Sequence, residues 1–271
     1  MRLASFLLVV GALAACGSES GDPPSPAGAP PAGGKGKRIR ELADPTLPGH
    51  ETIVNTTQSV SGAVVIAVDT YDEQNDGKGT GDVYVEDIGA TKDTPYAGIN
   101  LFAPSFSPGN LAVSPGDVLD MRGTYQENAL IPSKPPIVFP PGSLLVQLSQ
   151  PNATFRYETT VPQPVDIDLA DLADFQKGRR WIGMLVRVKN ITALDDTFVA
   201  TKGRATTDIT PQPAAGFVFC GPNPAATLVN ALYPTQSLNL KTGDKLKSVT
   251  GVVLFFCNLQ LAPRSAADIE K

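Results

Sequence analysis

One pattern of a turn followed by a strand occurs twice in this chain and constrains its fold more than any other feature. The first copy spans residues 113–125 and reads Val-Ser-Pro-Gly-Asp-Val-Leu-Asp-Met-Arg-Gly-Thr-Tyr. The second spans residues 240–256 and reads Leu-Lys-Thr-Gly-Asp-Lys-Leu-Lys-Ser-Val-Thr-Gly-Val-Val-Leu-Phe-Phe. In both copies a Gly-Asp turn precedes alternating residues and then a second glycine, which is typical of a bent strand. The repetition predicts two copies of one small β-module.

The composition favours an all-β chain with short connections. Glycine and proline occur 25 times each among 271 residues, and both residues are typical of turns between short strands. The formal net charge is −5, which disfavours non-specific binding of nucleic acid by the whole surface.

The first 15 residues have the pattern of a bacterial secretion signal that ends at a lipid attachment site. Arg2 is basic, residues 3–15 form an apolar run, and Cys16 follows the small residues Ala14 and Ala15. This arrangement resembles the lipobox of bacterial lipoproteins, which implies cleavage before Cys16 and a diacylglycerol on its sulfur. Several acyl chains on one residue give a stable membrane anchor. A plain secretion signal with a chance cysteine is the alternative.

Residues 16–50 are expected to form a lipidated, disordered tether. Gly, Pro, Ala and Ser dominate residues 17–34, and such a composition cannot bury a core. His50, the single histidine of the chain, is placed in this region. A small basic cluster lies before it, formed by Lys35, Lys37, Arg38 and Arg40. In the lipoproteins that the lipobox resembles, glycine rather than aspartate after the cysteine favours the outer membrane, so we expect the body on its periplasmic or cell-surface side.

The strand pattern divides the body into two modules, residues 51–160 and 161–271. The strands predicted in the first module span residues 60–68, 83–86, 98–102, 113–125 and 144–148. Those predicted in the second module span residues 183–191, 197–200, 228–233, 243–256 and 259–261. A connecting helix is predicted over residues 168–178, with Asp168 as its cap and with Asp171 and Asp174 in solvent. Five short strands with a glycine bend favour a small closed barrel.

Several motifs resemble those of OB-fold modules that accompany secreted bacterial nucleases. In the first module these are Val-Ser-Gly-Ala-Val-Val, Asp-Val-Tyr-Val-Glu-Asp, Tyr-Ala-Gly-Ile and Pro-Gly-Asp-Val-x-x-x-Arg-Gly-Thr-Tyr. In the second they lie in residues 181–188 and 248–269. The resemblance covers about residues 59–148 and 180–269 and implies two tandem five-stranded OB-like barrels. The chain departs from that family in having no nuclease domain within its 271 residues.

A candidate binding face follows from the same resemblance, because OB folds take single-stranded nucleic acid along their second and third strands. By alternation, the side chains predicted on this face are Tyr84, Glu86, Asn100 and Phe102. Glu86 and the acidic loop 69–77 oppose phosphate. In the second module, Trp181 follows Arg179 and Arg180 and is the best aromatic position beside cations, although a tryptophan in the core or between the modules is the alternative.

Two further groups of residues have the chemistry of cross-links or metal ligands. Outside the cytoplasm, Cys220 and Cys257 are most simply a disulfide, and two thiols without a histidine fall short of a zinc site. The loop 69–77 offers oxygen ligands for calcium, but its spacing does not fit an EF-hand and a solvated hairpin loop is the alternative. The calcium candidates in it are Asp72, Asn75 and Asp76.

No catalytic pair stands out, so we do not expect an enzyme or a cofactor. His50 is placed in a linker, Cys16 carries lipid, and no spacing singles out two carboxylates. The leading hypothesis is a membrane-anchored envelope lipoprotein that acts as a non-catalytic binding or scaffold module for a protein or polysaccharide. The alternatives are single-stranded nucleic-acid binding through the OB faces and a purely structural spacer.

The disulfide can be tested with the Cys16→Ser chain, in which Cys220 and Cys257 are the remaining cysteines. We expect thiol alkylation of the unfolded chain only after reduction. Replacing Cys220 with serine should lower the free energy of unfolding by roughly 3–4 kcal/mol, because the loop of the unfolded chain is no longer closed. Alkylation of both cysteines without reductant would contradict the pairing.

Overall fold

The structure is a computed structural model that describes residues 34–69, 81–128, 145–200, 203–211, 225–233, 238–256 and 258–271. Strands dominate these ranges, and the helices in them are short, in agreement with the predicted all-β class. Several predicted residues lie outside the described ranges, and nothing in the structure tests them. They are Cys16, Asp72, Asn75, Asp76, Cys220 and Cys257.

The first module contains a closed five-stranded barrel, named the first barrel below. Its strands pair in the ring β1-β2-β3-β6-β5, and β5 pairs again with β1. All these pairs are antiparallel except the parallel pair of β3 and β6. A short strand, β4, is added outside the ring and pairs with β6. The strands are β1 (Thr57–Val68), β2 (Val83–Asp87), β3 (Gly98–Phe102), β4 (Ser105–Ser107), β5 (Asp117–Asn128) and β6 (Leu145–Glu158).

Glycines bend the long strands of this barrel where the sequence predicted a break. The pairing of β5 with β6 shifts register between Arg122 and Thr124, on either side of Gly123. A Cβ at Gly123 would lie 2.9 Å from the Cα of Pro151, so a larger residue would collide with β6. Such bends let long strands curl into a small closed barrel.

The second module contains one larger sheet, named the second sheet below. Its strands follow the order β7-β8-β12-β13-β11-β10-β9, and β14 pairs with β12. Strands β11 and β13 are parallel, like β3 and β6 in the first barrel. The strands are β7 (Val165–Ile167), β8 (Leu185–Thr192), β9 (Phe198–Val199), β10 (Ala205–Asp208), β11 (Thr227–Val229), β12 (Lys245–Phe256), β13 (Asn258–Ala262) and β14 (Ile269–Glu270).

Five strands of the second sheet follow the same order as the ring of the first barrel, but no strand ladder between β8 and β10 closes them into a ring within the described ranges. This gap in the pairing is named the seam. Its path β8-β12-β13-β11-β10 corresponds to β1-β5-β6-β3-β2. At the seam between β8 and β10, the structure describes a backbone hydrogen bond of 2.8 Å from the Leu194 N–H to the Asp208 carbonyl, but no strand ladder. Asp195 supports this seam, since its carboxylate accepts the Asp208 N–H at 2.7 Å.

The strand predicted over residues 197–200 is confirmed as β9, but the sequence missed the strand that follows it. Strand β9 lies at the outer edge of the sheet and pairs with β10. Strand β10 lies between β9 and β11. Its sequence, Ala-Thr-Thr-Asp, has no apolar alternation to reveal it, so tertiary pairing decides its structure.

The ordered body begins before residue 50, contrary to the predicted tether. Lys37 pairs with Val60 in a parallel bridge, and α1 (Arg40–Ala43) follows. Ile39 and Leu42 are fully buried in the apolar cluster that contains the interior of the barrel. The Asp87 carboxylate accepts the Ile39 N–H at 2.9 Å and the Arg40 N–H at 3.0 Å. Two apolar side chains and a fixed acceptor therefore order this polar segment.

A second short helix, α2 (His50–Ile53), leads into β1. Its first residue, His50, is 7% exposed. The histidine therefore lies in the folded body and not in a linker.

The predicted connecting helix is two short helices, α3 (Leu169–Leu172) and α4 (Phe175–Gly178), followed by a 3₁₀ turn at Arg179–Trp181. Asp168 makes no capping hydrogen bond through its side chain. Asp174 instead caps α4 by accepting the N–H groups of Gln176 and Lys177. The predicted helix is interrupted between α3 and α4, because Asp174 has the extended backbone of an N-cap.

The outer face of the first barrel packs against the second sheet. Alternate residues of β1 belong to two apolar clusters, since Val65 faces the barrel interior and Val64 and Ile66 face the second sheet. The residues of the second sheet in this interface cluster include Leu185, Val229, Val252 and Leu254, and Leu232 joins them from the turn after β11. Both faces of β1 and β2 are therefore covered, including the face of β2 that carries Tyr84.

The two units meet backbone to backbone at a pair of glycines, Gly98 at the start of β3 and Gly183 before β8. A Cβ at Gly98 would lie 2.3 Å from the carbonyl carbon of Gly183. A Cβ at Gly183, whose φ is +78°, would lie 2.6 Å from the Ile99 nitrogen. Backbone thus meets backbone, and neither partner can rotate away.

We expect Gly98→Ala to lower the free energy of unfolding by about 1–3 kcal/mol, because the added methyl group overpacks this contact. Gly109→Ala is the matched control, since its Cβ would meet only the Phe106 carbonyl oxygen at 4.0 Å. Urea denaturation of both variants measures the difference. Equal stability of the two variants would contradict the close contact.

Candidate functional site

The structure buries most of the predicted binding face. Tyr84 is 8% exposed, Glu86 0% and Asn100 6%, whereas Phe102 at the end of β3 is 45% exposed. Trp181 in the second module is 2% exposed. These five residues therefore do not form one open surface.

Tyr84 packs into the apolar cluster between the first barrel and the second sheet. Burial raises the pKa of its phenol above the ordinary value, and the nearby carboxylates of Asp82 and Asp69 act in the same direction. A ring in this position cannot offer its face to a base of nucleic acid. Stacking on Tyr84 would need the two units to separate.

Glu86 lies on the same outer face and points into the second sheet. Its Oε2 accepts the Leu185 N–H at 3.2 Å, and its Oε1 is buried without a hydrogen-bond partner among the described residues. Burial raises the pKa of this carboxyl to about 8. It is therefore predominantly neutral at pH 7.

Asn100 belongs to a row of polar side chains that crosses three strands of the first barrel, β3, β6 and β5, and reaches Asp82 just before β2. Its Nδ2 donates to Asp82 Oδ2 at 2.9 Å. It lies opposite Gln147 of β6, whose Nε2 donates to Gln126 of β5 at 2.9 Å. Sequence alternation found Asn100 but missed the two glutamines, which the parallel pairing of β3 and β6 brings beside it.

Trp181 confirms the alternative that was left open, a tryptophan in the core. Its indole N–H donates to Asp171 Oδ2 at 2.9 Å, and the guanidinium of Arg180 lies 5.3 Å from the ring centroid. Asp171 also pairs with Arg180 at 3.4 Å. The expectation that Asp171 is solvated was wrong, because this carboxylate satisfies a buried indole.

One group of titratable side chains in mutual contact was not predicted from the sequence. It is centred on Glu127 of β5 and is named the Glu127 cluster. Glu127 Oε1 accepts the Tyr125 hydroxyl at 2.7 Å and lies 2.8 Å from His50 Nε2. The same oxygen accepts a hydrogen bond from Arg179. The cluster joins α2, the first barrel and the segment that leads to the second sheet.

The side chains of the Glu127 cluster are largely buried. Tyr125 is fully buried, and the side chains of Arg179 and Glu127 are 11% and 10% exposed. Burial, followed by the charge of Glu127, raises the pKa of the Tyr125 phenol. His50 Nδ1 and Arg179 Nε have no partner among the described residues.

A carboxylate beside an imidazole is an arrangement used in general base catalysis. Here one carboxylate oxygen is already shared by a phenol, a guanidinium and the imidazole. The geometry therefore fits a structural junction that holds three chain segments together, and not a base that faces a substrate.

One shallow pocket lies at another place in the described part of the chain. The residues that line it include Arg38, Arg40, Asp87, Gly89, Thr94 and Ala97. Both oxygens of Asp87 accept backbone N–H groups of the α1 segment. A ligand in the pocket would therefore have to compete with these N–H groups for the carboxylate. Burial raises the pKa of Asp87 to about 6.

Within the described ranges, no three His, Cys, Asp or Glu side chains come together in a way that could hold a metal ion. Those ranges also contain no helix that is long and apolar enough to cross a membrane. Comparison with protein-family models and with curated proteins gives no match for this chain.

We expect Glu127→Gln to lower the free energy of unfolding by about 3 kcal/mol, because Arg179 keeps its buried charge and loses its partner. Lys247→Gln is the control, since Lys247 pairs with Glu270 on the surface, where the side chains are 77% and 54% exposed. Its unfolding midpoint should stay at the value of the parent chain. Chemical denaturation measures the free energy of unfolding of both variants. A Glu127→Gln variant as stable as the parent would show that the cluster is not a junction.

Proposed function

We propose that this protein is a membrane-anchored envelope lipoprotein whose two OB-type barrels act as a non-catalytic scaffold or binding module for a protein or polysaccharide. The lipobox-like sequence that ends at Cys16 supports the anchor. The Gly- and Pro-rich residues 17–33 support a tether between the anchor and the folded body. A flexible chain of that length spans roughly 20–25 Å, which holds the body close to the outer membrane.

The strand connections support the assignment of OB-type barrels. An OB fold is a five-stranded Greek-key barrel, and the ring β1-β2-β3-β6-β5 with its parallel pair β3–β6 has the required connections. The second sheet follows the same path with one seam between β8 and β10. We assign it as a second barrel of the same type, decorated by β7, β9 and β14.

The observation that carries the scaffold function is the contact between the two units. The outer face of β1 and β2 is buried in the second sheet, and the Glu127 cluster fixes the segment between the units. Two domains joined in this way have one relative orientation as long as the contact is closed. Such a pair of barrels suits the presentation of one shaped surface to a partner near the membrane.

Nucleic-acid binding is the weaker candidate, because the face that would take a strand is occupied. Tyr84 and Glu86 contact the second sheet, and the indole N–H of buried Trp181 donates to Asp171. Phe102 is the exposed member of the predicted set. A single aromatic side chain gives little stacking area for a strand.

The anchor is tested by replacing Cys16 with serine in the native host. We expect the parent chain in the detergent-soluble outer-membrane fraction and the Cys16→Ser chain in the soluble periplasmic or extracellular fraction, because the acylated sulfur is lost. Gly109→Ala, whose added Cβ meets little, is the control and should stay with the membrane. A Cys16→Ser chain that remains membrane-bound would contradict lipid anchoring.

The partner is tested by capture from native envelope with a tagged Cys16→Ser chain, after which bound protein, glycan and nucleic acid are each assayed across salt concentration. We expect a protein or polysaccharide that survives moderate salt. Nucleic acid that survives it would support the alternative function, and no bound partner would support the structural spacer. An unrelated tagged periplasmic protein is the control.

A further inference from the structure

Glu86 is a fully buried carboxyl group at the contact between the first barrel and the second sheet. It is 0% exposed and projects from β2 across the interface to the Leu185 N–H, 3.2 Å from its Oε2. Its Oε1 has no partner among the described residues. The neighbouring interface is apolar, with Val64, Leu185 and Val252 in one cluster.

We propose that Glu86 is a pH-sensitive latch, which holds the two units together when its carboxyl is protonated and loosens their contact when the proton is released to solvent. Opening at this contact would expose the outer face of β2, including Tyr84, which the second sheet covers in the closed form. The latch does not depend on the lipid anchor or on the identity of a partner.

A neutral carboxyl suits this position, and a charged one does not. One hydrogen bond from a backbone N–H leaves most of the charge of a carboxylate without compensation, and an isolated buried charge is strongly unfavourable. The protonated form carries no charge to compensate, and its remaining cost is one O–H, on Oε1, without an acceptor among the described residues. Separation of the two units gives the carboxylate access to water and removes the penalty.

The charged groups that act on Glu86 come from both sides of the interface. Asp87, the next residue of β2, disfavours the negative charge, and Arg264 of the second unit favours it. Arg264 is already paired, because its guanidinium donates to Asp268 at 3.0 and 3.1 Å and to the Ile66 carbonyl at 3.4 Å. It therefore offers Glu86 a partial compensation at a distance and not an ion pair.

The direction of the pH effect follows from burial. Burial raises the pKa of Glu86 from 4.5 to about 8, so its stabilising contribution is complete below pH 4.5 and is lost as the pH rises to about 8. The pKa of Asp87 is raised from 3.8 to about 6, so Asp87 adds little to the pH dependence of stability above about pH 6. Between about pH 6 and about pH 8, Glu86 is the carboxyl of this pair that still titrates.

The test is hydrogen exchange of the Leu185 amide in the Cys16→Ser chain, compared between the parent and Glu86→Gln. After correction for the intrinsic exchange rate, the opening constant of the parent should rise about tenfold between about pH 6 and about pH 7 and less steeply above it, about fiftyfold in all between about pH 6 and about pH 8. In Glu86→Gln this rise should be absent. The Val253 amide, which donates to the Met184 carbonyl at 3.1 Å within the second unit, is the internal control.

Two outcomes would overturn the latch. The first is an equal rise in Glu86→Gln, because another group would then control opening. The second is an equal rise at Leu185 and Val253, because the whole unit would then unfold and not only the interface. Glu86→Met, which removes the charge and keeps the volume, repeats the comparison if the glutamine variant is poorly folded.

Discussion

Gly98 and Gly183 let the backbones of the two units touch, and most of the structure depends on that contact. Without a Cβ at either position, β3 and the start of β8 come close enough for the outer face of β1 and β2 to pack on Leu185, Val252 and Leu254. Strands that would otherwise have one solvated face are thereby covered on both. The same contact brings Glu86 to the Leu185 N–H and encloses Tyr84.

Each unit is completed by a short helical segment that precedes its first long strand, β1 or β8. Ile39 and Leu42 precede β1, whereas Phe175 and Trp181 precede β8, and all four lie in the main apolar cluster. The repeated unit is therefore longer than the doubled strand pattern. Glu127 then ties both segments to one barrel, because it contacts His50 from α2 and Arg179 from the 3₁₀ turn. Deleting either segment would remove both core volume and a partner of this carboxylate.

Much of the strand framework was predictable because apolar alternation and glycine breaks are local. The positions of β1, β2, β3 and β12 and the bend at Gly123 follow from such patterns. Three features could not be predicted from such local patterns: the ordered segment at Ile39, the polar strand β10 and the cap at Asp174. The first two depend on partners distant in sequence, and the cap depends on a choice among several nearby acids. The Glu127 cluster was missed for the same reason, since its members span residues 50–179.

The sequence by itself determined which strand residues alternate, because local periodicity records which residues share a face of a strand, and it predicted a division of the body into two β-modules. It also determined the lipobox-like motif at Cys16. Only the tertiary structure decided what lies against each face. Tyr84 and Glu86 alternate as an exposed face would, yet the second sheet covers them. Alternation distinguishes two faces of a strand, but the packing of a distant unit decides whether the outer one meets water or protein.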